Sequence, residues 1–109
     1  YTLSNLCWKL IKTQGGFNND NKIIHWTDAG VASWYDFAVA IGEIALQKKI
    51  ISGIPDIYPI KSKDFPSIAT RPKFSLLDTE QACKSLNIKR NHWKFELLNV
   101  IREIDSKKK

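Results

Sequence analysis

The sequence predicts a small mixed α/β lobe of about four helices and two short parallel strands. Three observations predict it. Four stretches carry apolar residues at the helical period. Two short apolar runs, 22–26 and 57–60, flank one of those helices, an order that predicts a right-handed parallel crossover. Hydrophobic residues make up 43% of the 109, enough for one domain with a modest core.

The first helix rests on Leu3, Leu6, Cys7, Leu10 and Ile11, spaced as one helical face from about Thr2 to Lys12. It ends before Gly15-Gly16, and Asn18-Asn19-Asp20-Asn21 is a polar turn cluster. Residues 22–26 (Lys-Ile-Ile-His-Trp) read as a strand, its adjacent isoleucines predicting burial on both faces. Ser33 is a good helix N-cap with Asp36 as its capping-box partner, starting a helix from Trp34 to about Lys48. Its expected inward stripe is Trp34, Phe37, Ala38, Ile41 and Ala45, with Tyr35 outside it. Residues 57–60 are the second strand candidate, which Pro55 and Pro59 put at an edge or make short. Residues 61–74 have no period and contain Pro66 and Pro72. An ordered irregular stretch that long in a small domain is usually functional or wraps the core. Asp78 is expected to cap a short helix with Ala82, Cys83 and Leu86 inward, stopped by Asn87. Asn91 is expected to cap the last helix, whose stripe is Trp93, Leu97, Val100, Ile101 and Ile104. Residues 1–106 form the predicted domain, and 107–109 a disordered lysine tail.

The bulk properties exclude more than they assign. The formal net charge is +6, of which Lys107, Lys108 and Lys109 supply three. The other basic residues are scattered among acids and form no stripe, so nucleic acid is not an expected partner. Cys7 and Cys83 fall at apolar helical positions, where free cysteine behaves as a small hydrophobe. No apolar run is long enough to span a bilayer, so a membrane is not expected and a cytoplasmic setting is the default. The chain begins at Tyr1 and holds no methionine, which leads to the expectation of a fragment. No glycine-rich phosphate loop and no Tyr-x-x-x-Lys pair is present, so no catalytic residue is assigned.

Two blocks carry a resemblance. His25-Trp26-Thr27-Asp28-Ala29-Gly30 leads into Ser33-Trp34-Tyr35-Asp36-Phe37-Ala38. Phe65-Pro66-Ser67-Ile68-Ala69-Thr70-Arg71-Pro72-Lys73-Phe74-Ser75-Leu76-Leu77-Asp78 follows an aromatic-Pro-x-x-Ala-x-Arg-Pro-x-x-Ser-x-Leu pattern. Together, in this order, they resemble the C-terminal part of the dTDP-4-dehydrorhamnose reductases, which are extended short-chain dehydrogenases/reductases. Ile24 stands where that family has an aromatic residue. The resemblance implies a substrate-side fragment of an NAD(P)H-dependent enzyme that reduces a dTDP-4-dehydro-6-deoxy-sugar to dTDP-rhamnose. It implies NADPH or NADH bound outside this chain by a missing N-terminal cofactor-binding domain, which would also hold the catalytic groups. It further implies a homodimer with Mg at the contact, Glu103 being the closest match to the family's acidic ligand on the last helix. A non-catalytic, reductase-like regulatory or binding subunit is the alternative.

Within that frame, the candidate substrate-binding residues are Arg71, Pro72, Phe65 and Trp26. The guanidinium fork of Arg71 suits a diphosphate, and Pro72 fixes the backbone beside it. The other reading of Arg71 is a brace to a carboxylate or carbonyl. Phe65 and Phe74 read either as faces for a base or as buried aromatics. Trp26 ends the first expected strand, on the side where ligands approach a parallel unit.

Overall fold

A computed structural model describes residues 2–13 and 23–107. The Gly15-Gly16 pair, the turn at 18–21, Lys22 and the last two lysines lie outside the described residues. Among the described residues four helices follow one another: α1 (Thr2–Thr13), α2 (Trp34–Gln47), α3 (Glu80–Leu86) and α4 (Trp93–Ser106). A single 3-10 turn, Ser62–Asp64, lies between α2 and α3. The chain divides into two compact units, one of Tyr1–Asp28 and Ser75–Arg90, the other of Ala29–Phe74 and Asn91–Lys109.

The first unit pairs α1 with α3. Leu6 on α1 and Ala82 and Leu86 on α3 are buried, as is Thr79 just before α3. The N-cap of this helix is Thr79, one residue after the expected Asp78, and it makes no side-chain cap bond; Asp78 Oδ1 accepts from the Glu80 N–H at 2.9 Å. Asn87 ends it in the left-handed region at φ 47°, a conformation asparagine tolerates better than most residues. The N–H groups of Asn87 and Ile88 turn back to the carbonyls of Lys84 and Cys83. Lys9 of α1 reaches the Asn87 carbonyl at 3.5 Å. The stripe expected on α1 is only partly used: Leu3, Cys7 and Ile11 are exposed, and so is Trp8 at 64%. The reason is length. A twelve-residue helix runs roughly 18 Å, and its seven-residue partner covers about 10 Å of it.

The second unit is built on the α2–α4 seam. Ala40, Leu97 and Ile101 are its buried centre, with Phe37, Ile44, Ile50 and Trp93 packed around them. The small side chain of Ala40 lets the helices approach closely. Burying a leucine or isoleucine contributes roughly 1.5–3 kcal/mol, so Leu97 and Ile101 account for much of this seam. The face of α2 differs from the expected one: Phe37 and Ala45 are inward, but Ala40, Gly42 and Ile44 replace Ile41 and Trp34, and Trp34 is 77% exposed. On α4, Leu97 and Ile101 are buried as expected, whereas Val100 and Ile104 are exposed on its flank.

Both expected strands require correction. Among the described residues, neither 23–26 nor 57–60 forms a ladder. Pro55 and Pro59 remove two donors from the second segment. Its neighbours are helical instead: a Cβ placed on Gly42 of α2 would meet Ile54 Cγ2 at 3.0 Å and Ile57 Cδ1 at 3.9 Å. The parallel pairing that does form is a single bridge between Ala29 and His92. There the Ala29 N–H donates to Asn91 O at 2.8 Å and the Trp93 N–H donates to Ala29 O at 2.9 Å. Gly30 follows with φ 92°, and a Cβ on it would stand 2.5 Å from His92 Nε2 and 2.8 Å from Trp93 Cδ1. The α4 cap also shifts by one residue. His92 is the N-cap, its Nδ1 accepting from the Lys94 N–H at 3.3 Å, while Asn91 Nδ2 donates to Glu96 Oε1 at 2.7 Å.

The capping box of α2 is present as the sequence indicates. The Asp36 N–H donates to Ser33 Oγ at 3.1 Å, and Asp36 Oδ2 accepts from the Ser33 hydroxyl at 2.7 Å and the Ser33 N–H at 2.8 Å. The far end of α2 closes with Lys49 at φ 58°, the Ile50 N–H returning to Ala45 O and the Lys49 N–H to Leu46 O. This pair of bonds is a Schellman motif that brings Ile50 onto the seam.

Gly30→Ala combines a strained φ with a collision against two side chains. It should destabilise the protein by about 2–3 kcal/mol in urea denaturation. An unchanged midpoint would show that the bridge does not hold the loop.

The hydrogen bond from the Ser33 hydroxyl, then that from the Ser33 N–H, holds the Asp36 carboxyl below the ordinary carboxylate range, and Lys94 adds to this. Because the folded value is lowered, the box contributes above the unfolded pKa and is lost as pH falls through the lowered one. The Ser33 amide resonance should therefore titrate on the acid side of ordinary aspartate, and Asp36→Asn should abolish that step. A Ser33 amide that titrates with the same profile in Asp36→Asn would refute the assignment.

Candidate functional site

The open surface of the second unit lies on the chain that leaves α2. From Tyr58 to Phe74 every residue is exposed, and Ser75 to Asp78 continue exposed into the other unit. Local structure is sparse. The 3-10 turn is closed by the Phe65 N–H donating to Ser62 O at 3.4 Å, and the Ser67 hydroxyl donates to Ala69 O at 2.8 Å. Prolines at 59, 66 and 72 remove donors and keep the segment from joining a helix or sheet. What remains is an extended platform whose side chains have no cover.

Arg71, Pro72 and Phe65 all lie on this platform. Arg71 makes no hydrogen bond or ion pair with the described residues, so the brace expected as its other role is not formed among them. Phe65 is 59% exposed and Phe74 80% exposed, in place of the buried aromatics that were the other reading. Lys61, Lys63 and Lys73 share the segment with Arg71, against Asp64 alone. The sequence shows this excess of cations directly, but their scatter along the whole chain hides that four of them fall on one exposed stretch.

Trp26 belongs to the other unit, where it is half-buried. Its indole N–H is buried and has no partner among the described residues. A buried donor in that state costs free energy until something accepts from it.

Glu103 sits on α4, two-thirds buried, and pairs with Lys107 at 2.6 Å. The Lys107 N–H also donates to Glu103 O at 3.2 Å, so the first residue of the expected tail closes α4. Magnesium takes near-octahedral oxygen ligands. One carboxylate already paired with a lysine does not make such a site. Among the described residues no three His, Cys, Asp or Glu side chains stand together to hold a metal ion. The described residues of a single chain therefore do not by themselves make a Mg site. Among the described residues, too, no helix is long and apolar enough to cross a membrane.

The chain belongs to the family described as the RmlD substrate binding domain, whose model matches residues 1–106. It is 35% identical over 78 residues to the dTDP-4-dehydrorhamnose reductase of Aggregatibacter actinomycetemcomitans, covering 72% of this chain and 26% of that protein. It is 29% identical over 91 residues to the spore coat polysaccharide biosynthesis protein SpsK of Bacillus subtilis (strain 168), covering 83% of this chain and 29% of that one. The chain thus spans between a quarter and a third of the length of these curated relatives. No solved structure matches it significantly.

Exposed and unpartnered among the described residues, Arg71 contributes little to folding. Arg71→Ala should leave the ligand-free protein's stability within about 0.5 kcal/mol of wild type. A clear drop in melting temperature without ligand would assign Arg71 to bracing.

Proposed function

We propose that this chain is the substrate-side lobe of an NAD(P)H-dependent reductase that converts a dTDP-4-dehydro-6-deoxy-sugar to dTDP-rhamnose. The observation that carries this reading is the family match over nearly the whole chain, with a dTDP-4-dehydrorhamnose reductase among its relatives. The name of the Bacillus relative supports a place in nucleotide-sugar and cell-surface polysaccharide biosynthesis. Hydride transfer belongs to NADPH or NADH, bound by a cofactor domain outside this chain, in the cytoplasm. The groups that move the proton lie there too.

This lobe's part is to hold the nucleotide-sugar. Arg71 meets the diphosphate with parallel N–H donors, a charge-assisted geometry that a lysine cannot copy. Pro72 restricts the Arg71 backbone to extended conformations and so limits where the guanidinium points. The exposed ring of Phe65 offers a face to the thymine. Trp26, in the other unit, holds an indole N–H with no acceptor among the described residues. Glu103 would serve a magnesium ion only as one ligand of a site completed by a second copy.

In the full-length enzyme, Arg71→Ala should weaken dTDP-sugar binding by roughly ten- to a hundredfold, the cost of one charge-assisted contact, with NADPH affinity nearly unchanged. Calorimetric titration that finds dTDP-sugar affinity unaltered would remove Arg71 from the site. NADPH oxidation by these 109 residues alone would contradict the division of labour.

A further inference from the structure

Between Pro72 and Ser75 the chain carries Lys73 and Phe74. Building on the reading that this lobe holds a nucleotide-sugar, we infer that Lys73 is a second cationic contact to the substrate's diphosphate and sets the preference for a diphosphate over a monophosphate.

The inference rests on charge and reach. A sugar-linked diphosphate presents one negative charge on each phosphate, and one guanidinium answers only one of them. Lys73 lies two residues from Arg71, at most about 7 Å along the backbone, within reach of adjacent phosphates for two long side chains. Pro72 between them has its own φ fixed and restricts Arg71, so the two cations flank a rigid residue. Lysine suits the second role because an ammonium acts as a point charge that needs no planar partner. Lys73 makes no hydrogen bond or ion pair with the described residues. Lys61 and Lys63 share the segment, but they lie ten and eight residues before Arg71, and Lys63 adjoins Asp64. An exposed lysine is ordinarily just solvated. Here Phe74 follows it at 80% exposure, so the protein's own described residues leave the stretch after Arg71 open to a ligand.

The test is titration of dTDP and of dTMP into the full-length protein at low salt. It compares wild type with Lys73→Ala, Lys73→Arg, Lys61→Ala and Arg71→Ala. Lys73→Ala should weaken dTDP about tenfold and dTMP by no more than roughly twofold. Lys73→Arg should retain most of the dTDP affinity, and Lys61→Ala should match wild type. If Arg71→Ala weakens dTDP while Lys73→Ala behaves like Lys61→Ala, the inference falls and the nucleotide-sugar reading stands. If wild type binds neither nucleotide, both fall.

Discussion

The bond from the Trp93 N–H to the Ala29 carbonyl fixes where α4 begins, and much of the second unit follows from it. It makes Trp93 the first residue of the helix and carries its ring to within 5.9 Å of Phe37 on α2. That contact sets one end of the seam on which Ala40, Leu97 and Ile101 are buried. The same bond brings Ala29 alongside Asn91, and Gly30 can follow only because it has no side chain. Chain passes between the two units at 28–29 and again at 90–91. The bridge therefore ties two of these crossings together on the second unit's side.

A firm two-helix seam explains how so long a segment can stay bare. Burial in this unit is concentrated between α2 and α4, while the chain after α2 sends only Ile54 and Ile57 back to Gly42 before running out into the open. Such a platform gains nothing from its own fold. Under the proposed function, the bound nucleotide supplies the cover that the fold does not.

The helices were legible in their periods, although the caps of α3 and α4 fall one residue later than expected. Ser33 with Asp36 marks the start of α2 to the residue, and Asn87 marks the end of α3. The inward face of α2 was not legible. At about 100° per residue, Trp34, Phe37, Ala38, Ala40, Ile41, Ile44 and Ala45 spread over an arc of about 160°, and periodicity alone does not choose which part of it turns inward. The choice is made by α4, through Trp93 and Leu97. The strands failed for a related reason: a run of isoleucines signals burial, but a strand also needs a neighbour to pair with, and single-sequence reading supplies none. Of the proposed site, Arg71, Pro72 and Phe65 stand out in the sequence as part of one aperiodic stretch. The exposure of Phe74 and the cap made by His92 depend on three-dimensional neighbours and left no mark in the spacing.

The central claim is that the open segment is the surface that receives the nucleotide. Amide hydrogen exchange on the full-length protein, with and without dTDP, tests it directly. The account predicts new protection in residues 58–77, with exchange at the Ala29–Trp93 bridge already slow and unchanged. Protection confined to other parts of the protein, with 58–77 exchanging as freely as before, would contradict it.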